Sequence, residues 1–125
     1  MNTEISIQSK LFPSYPNEED DMNPGRFGKK LGEYIQHVLE KEHIQVADLY
    51  PTDYSYEIRI DQFEFSIYVQ AGNVDGETEE FIVFVEPTKP FIRKWFKKIP
   101  TKERVQSIYN ILLEDFQSNS EIKVL

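Results

Sequence analysis

The sequence predicts an α+β domain, in which an antiparallel sheet built on a three-strand meander, with room for terminal strands, packs with two main α-helices and one short helix. Three observations carry this. Apolar residues recur at helical spacing in two places, over residues 27–39 and 105–116. Between them the period drops to two, and turn residues separate consecutive runs, which favours antiparallel neighbours. Aromatic residues make up 14% of the 125, enough for a packed core in a chain of single-domain length.

Residues 1–22 read as an acidic, proline-containing arm, and residues 23–125 as the domain proper. Pro13, Pro16 and the run Glu18, Glu19, Asp20, Asp21 favour extended chain, because like charges repel. The arm admits a short strand at Glu4–Gln8, and its phrase LFPSYP can lay Leu11, Phe12 and Tyr15 across the domain.

Asn23-Pro24 opens the first predicted helix, with Asn as N-cap and proline at the first helical position, where its missing N–H costs nothing. Phe27, Leu31, Tyr34, Ile35, Val38 and Leu39 then share one face, and the helix is expected to end near Lys41–His43. Gly28 and Gly32 interrupt it at about 1 kcal/mol each relative to Ala. Their four-residue spacing points to another backbone packed closely against that face.

Tyr54, Tyr56, Ile58 and Ile60 alternate with polar residues, as do Phe63, Phe65, Ile67 and Val69, giving two half-buried strands joined at Asp61-Gln62. Gly72-Asn73 and Asp75-Gly76 mark a second turn region. Phe81–Val85 is apolar throughout, which suits a strand central in the sheet or covered on both faces. Thr101 N-caps a second helix carrying Val105, Ile108, Tyr109, Leu112 and Phe116 and ending before Asn119. Ile122 and Val124 suit a short last strand. The expected core holds Phe27, Leu31, Tyr34, Val38, Phe65, Ile67, Phe81, Val83, Val85, Trp95, Ile108 and Leu112.

Charge is unevenly placed. The formal net charge is -8, yet residues 87–104 carry +6 and hold half of the 14 Lys and Arg. Within KPFIRKWFKKIP, Phe91, Trp95 and Ile99 fall at i, i+4 and i+8 and would seat one face of a short helix in the core. Arg93, Lys94, Lys97 and Lys98 would then point outward, their stems covering apolar surface.

The blocks PGRFGKKL at Pro24–Leu31, EPTKPFIRKWFKKI at Glu86–Ile99 and RVQSIYNILLED at Arg104–Asp115 resemble a small bacterial single-domain family that carries the same three blocks. The resemblance covers most of the chain from Asn23 onward. It implies a bacterial source and an intact fold, and it brings no established activity. Members of that family have tryptophan where this chain reads DYSY at Asp53–Tyr56, a departure that argues against this segment as a fixed binding site.

Chemistry-bearing motifs are sparse. The chain has no cysteine, so disulfides, thiolate metal sites and a cysteine nucleophile are excluded. His37 and His43 are six apart, about 240° around a helix, and cannot share one metal. Asn73, Asp75 and Glu77 have the spacing that opens a calcium loop, but Gly76 comes too early and the twelfth position lacks glutamate. Neither a phosphate loop nor a nucleophile elbow is present. The expectation is therefore a non-enzymatic domain without cofactor or metal. The polar start MNTEISIQSK and the lack of a long apolar run predict a cytoplasmic protein without a membrane span.

The functional expectation is an acidic protein-binding domain of the immunity or antitoxin type, whose partner is a toxin domain. Such an inhibitor imitates a polyanion and covers a basic active site, with charge steering the encounter. The expected partner-binding acids are Glu18, Glu19, Asp20 and Asp21 on the arm and Glu77, Glu79 and Glu80 at the hairpin. The alternative is binding of nucleic acid or an acidic partner through the basic segment Lys89–Arg104, with Lys89, Arg93, Lys94, Lys97 and Lys98 as contacts. The acidic remainder of the chain disfavours nucleic acid. The oligomeric state is left open.

Overall fold

The computed structural model describes the backbone of residues 3–87, 91–94 and 97–125, and the side chains of residues 3–86 and 101–125. Among the described residues, eight strands and two α-helices follow one another: β1 (Glu4–Ser9), α1 (Lys29–Lys41), β2 (Asp48–Pro51), β3 (Tyr56–Ile60), β4 (Ile67–Asn73), β5 (Glu80–Pro87), β6 (Phe91–Lys94), β7 (Lys97–Pro100), α2 (Lys102–Ser118) and β8 (Ile122–Val124). A 3₁₀ turn at Glu18–Asp21 precedes α1. The fold is α+β, with a six-stranded antiparallel sheet in the order β2-β3-β4-β5-β1-β8.

Both helices cover one sheet face, and the other carries half-buried side chains such as Glu57, Gln70 and Phe84. Ile58, Val69 and Val85 lie in one cross-strand row, and Ile7 faces Phe81 in another. All of these are buried. Over them α1 packs on β3 and β4, α2 packs on β5 and β8, and the two helices touch. Leu31, Ile35, Val38 and Leu39 supply the buried face of α1; Val105, Ile108, Tyr109, Leu112 and Phe116 supply that of α2. The Tyr34 hydroxyl donates to Asp115 at 2.5 Å and accepts from the Asn119 amide at 3.0 Å, bolting the helices together. The opposite face carries the row Glu57–Gln70–Phe84–Glu4. There Tyr50 and Gln70 both donate to the Glu57 carboxylate.

The three runs that define the meander are present, and Phe81–Val85 is central, between β4 and β1. Its residues Phe81, Val83 and Val85 are fully buried, while Ile82 and Phe84 are half-buried on the opposite face. Leu31, Val38, Phe27, Ile67, Ile108 and Leu112 are buried as predicted, whereas Tyr34 and Phe65 are only partly so. Trp95 lies outside the described residues.

Several boundaries differ from the sequence reading. The predicted arm is part of the sheet: β1 lies inside it, pairing β5 on one side and β8 on the other. Phe12 is buried, edge-on to both Tyr34 and Phe81. The alternation of Ile5 and Ile7, short as it is, is matched in register by β5, which explains why the segment is ordered there. Helix α1 starts at Lys29, not at Asn23-Pro24, because Gly25 adopts φ +77° and turns the chain before the helix begins. The second meander strand starts at Ile67 instead of Phe63. Asp61 accepts from the Ser66 hydroxyl at 2.8 Å and from Arg59 Nε at 3.0 Å, closing residues 61–66 into a loop. Gly72 and Asn73 end β4 and do not form the turn.

The short helix expected over Pro90–Ile99 is replaced by an antiparallel two-stranded ribbon, β6 with β7. Its aromatic and β-branched residues suit a strand as well as a helix face, and the bracketing prolines suit strand ends. The i, i+4, i+8 spacing of Phe91, Trp95 and Ile99 does not operate in that geometry.

Candidate acidic cleft

The segment 23–28 reaches its place through Asn73, the buried end residue of β4. The Phe27 N–H donates to Asn73 Oδ1 at 2.9 Å, and the Asn73 N–H donates to the Phe27 carbonyl at 3.0 Å. Asn73 Nδ2 donates to the carbonyls of Gly25 at 3.0 Å and Glu77 at 2.9 Å. One amide thus ties the α1 approach to the β4–β5 turn. Gly28 then passes so close to β4 that a Cβ there would sit 2.3 Å from the Ala71 carbonyl oxygen. The close backbone approach expected of the glycine pair is realised within the domain at Gly28, whereas Gly32 meets the side chains of Leu49, Tyr56 and Ile58.

Glu18 completes the junction from the other side. Its carboxylate is buried and accepts the N–H groups of Gly28 at 2.6 Å and Lys29 at 2.9 Å, and that of Tyr15 at 3.0 Å. It performs the capping that Gly28, the N-cap, has no side chain to provide, and it places negative charge at the positive end of the helix dipole.

These ties enclose a cleft of about 510 Å³. Its wall includes Tyr15 and Phe27, and its charged lining comprises five acids, Glu18, Glu19, Asp20, Asp75 and Glu77, against one base, Arg26. Arg26 is anchored: its guanidinium donates to the Asn73 carbonyl at 3.0 Å, lies 3.8 Å from Asp75 and sits over the Tyr54 ring. Glu19 accepts the Gly25 N–H at 2.7 Å. Asp20, Asp75 and Glu77 are exposed. At the rim, the Tyr15 hydroxyl donates to Glu33 at 2.6 Å, which raises the Tyr15 pKa, and Lys29 and Lys30 lie over its ring.

Of the seven acids expected from the sequence, Glu18, Glu19, Asp20 and Glu77 meet in this cleft, although the two segments are nearly sixty residues apart. Asp21, Glu79 and Glu80 lie outside its lining. Glu18 is a correction: its carboxylate is used up in capping and is not a solvent-facing contact. Arg26, Asp75 and Tyr15 were missed. No local pattern marks them, since the Asn73 bonds and the Arg26–Asp75 pair that bring residues 25–27 against 75–78 cross some fifty residues.

On the basic side, Arg93 and Lys94 lie on β6, and Lys97 and Lys98 on β7; Lys89 is outside the described residues. His37 and His43 are both exposed, and among the described residues no group of three His, Asp or Glu side chains is placed to hold a metal ion. No helix among the described residues is long and apolar enough to cross a membrane. No family model, curated protein or solved structure matches this chain.

Proposed function

We propose that this chain is a non-enzymatic protein-binding domain that uses its acidic cleft to engage a cationic partner, in the manner of an immunity protein or antitoxin covering a toxin's basic active site. One observation supports this above the rest: acids from the 3₁₀ turn and from the β4–β5 turn line one cavity with a Tyr15 and Phe27 wall. Such a surface offers steering charge, and the exposed Tyr15 ring offers aromatic area for residence time. The reading extends to a bacterial setting, as the three sequence blocks suggest, and to the cytoplasm, as the polar first residues suggest.

Affinity capture from the native organism tests it. The wild-type chain is expected to recover a basic protein domain. The triple variant Glu19→Lys, Asp20→Lys, Glu77→Lys is expected to slow association with that domain by about tenfold or more in low salt. Equal capture by both forms, or capture of nucleic acid alone, would end the proposal.

A further inference from the structure

We propose that Tyr54 is the apolar anchor of the binding surface beside the acidic cleft, and that the surface fits a basic protein segment carrying an aromatic side chain among its basic residues. This rests on reading the cleft as a receptor for cationic protein, and it names the side chain that would hold such a partner in place.

Among the described residues three large apolar side chains are exposed: Tyr54 at 59%, Leu125 at 58% and Tyr15 at 37%. A single exposed side chain is ordinary on a protein surface. The two tyrosines, however, belong to one surface. Tyr15 lines the cleft, and so does Arg26, whose guanidinium lies 5.3 Å from the centre of the Tyr54 ring. One anchored side chain thus carries the surface from the cleft acids to Tyr54. Tyrosine and arginine are the residues that recur where a few side chains dominate binding.

Tyr54 is also held in place. The Thr52 N–H donates to the Ser55 carbonyl at 2.7 Å, and the Ser55 N–H donates to the Thr52 hydroxyl at 3.2 Å, closing the loop that carries the ring. The Asn23 N–H donates to the Asp53 carbonyl at 2.8 Å and ties this loop to the approach to α1. The loop also lies against β4, where a Cβ on Gly72 would sit 2.8 Å from the Tyr54 carbonyl oxygen. Arg26 is fixed in turn by the Asn73 carbonyl and Asp75. An exposed ring on a braced loop, with a guanidinium over it, loses little freedom when a partner binds. Tyr54 lies in the DYSY segment that the sequence reading set aside as a binding site; its exposure and its braced seat are visible only in the fold.

The chemistry of the partner follows from the neighbours of the ring. Five acids and one base line the cleft, and the base already faces Asp75. The remaining charge is negative, so the part of a partner that enters the cleft is cationic. Tyr54 adds an aromatic surface that a cationic head leaves unused and that an adjoining aromatic side chain covers. A nucleic-acid base would also stack on a tyrosine, but its phosphates would then face the cleft acids.

Titration of the full chain with three end-blocked pentapeptides in low salt, followed by heteronuclear NMR, tests the proposal. The peptides are KKFKK, KKGKK and EEFEE. The two basic peptides carry the same charge, so the ratio of their affinities is independent of the charge on the chain. Both are expected to shift the signals of Asp20 and Glu77, and KKFKK alone those of Tyr54. KKFKK is expected to bind about fivefold more tightly than KKGKK. Tyr54→Phe is expected to keep that gain and Tyr54→Ala to lose it, while the affinity of Tyr54→Ala for KKGKK stays at the wild-type value. A ratio near one in the wild type, a gain that survives in Tyr54→Ala, or EEFEE binding as tightly as KKFKK overturns the proposal. So do Tyr54 signals that move with chain concentration alone, which would assign the surface to a second copy, or that respond more strongly to oligothymidine than to KKFKK. The two readings fail differently. Basic peptides that reach the cleft without any gain from phenylalanine reject the Tyr54 anchor alone. Basic peptides that leave the Asp20 and Glu77 signals unmoved reject the proposed function together with it.

Discussion

Glu18 and Gly28 meet across a ten-residue excursion of chain: the Gly28 N–H donates to the Glu18 carboxylate at 2.6 Å. A residue that reads as part of a solvated acidic run is thereby the cap of α1, and its exposed neighbours line the cleft beside it. The capping acid and the acids proposed to bind a partner sit next to each other in sequence, so they must be separated by experiment.

Glu18→Ala is expected to cost about 3 kcal/mol, since three N–H groups lose a charged acceptor. Glu18→Gln, which keeps an oxygen acceptor but no charge, is expected to cost about half as much. Glu77→Ala is expected to change stability by less than about 0.5 kcal/mol. Urea denaturation measures all three, and equal losses at Glu18 and Glu77 would contradict the capping role.

Gly28→Ala is expected to destabilise the fold by about 2–3 kcal/mol, because the obstacle 2.3 Å from the new Cβ is backbone and cannot swing aside. A melting temperature within error of the wild type would show that β4 and the α1 entry separate more readily than their geometry implies.

Asn73→Asp is expected to be more harmful at neutral pH than Asn73→Ala. Asp keeps the acceptor for Phe27 but turns a carboxylate oxygen toward the carbonyls of Gly25 and Glu77. Acidification, which protonates that oxygen, is expected to narrow the gap between the two variants in denaturation midpoint.

Tyr50 is expected to titrate late. Burial, and then its hydrogen bond to Glu57, push its pKa up to about 12. The folded state therefore holds this proton where the unfolded chain, with an ordinary value near 10, releases it. The resulting stability is fully present below about pH 10 and is lost as pH rises toward 12. Tyrosinate absorbance should show a late-titrating component that Tyr50→Phe removes; an unchanged titration curve in that variant would refute the assignment.

The periods of the sequence carried most of the architecture. Both helix faces, the meander and the Ile122–Val124 strand are legible because each buries residues at one spacing. Long-range pairing was less legible. Nothing local announces that Glu18 serves Gly28, or that Asn73 closes the strand it ends instead of turning it. The stretch Phe91–Ile99 satisfies helix and strand patterns together, and periodicity cannot separate them in so short a run. The cleft was half legible: its acids stand out in the sequence, but their convergence depends on hydrogen bonds that cross some fifty residues.

The position of β1 has a consequence for biosynthesis. Ile7 faces Phe81 on one side and Val124 on the other. A ribosome takes on the order of ten seconds to deliver the residues between Ile7 and Val124. Until β5 is made the strand has neither neighbour, and for the whole of that time it lacks β8, leaving its alternating isoleucines and at least one edge open to other chains. Slow translation or a dense polysome would prolong the exposure, and a nascent-chain chaperone that shields the first strand would raise the yield of folded protein.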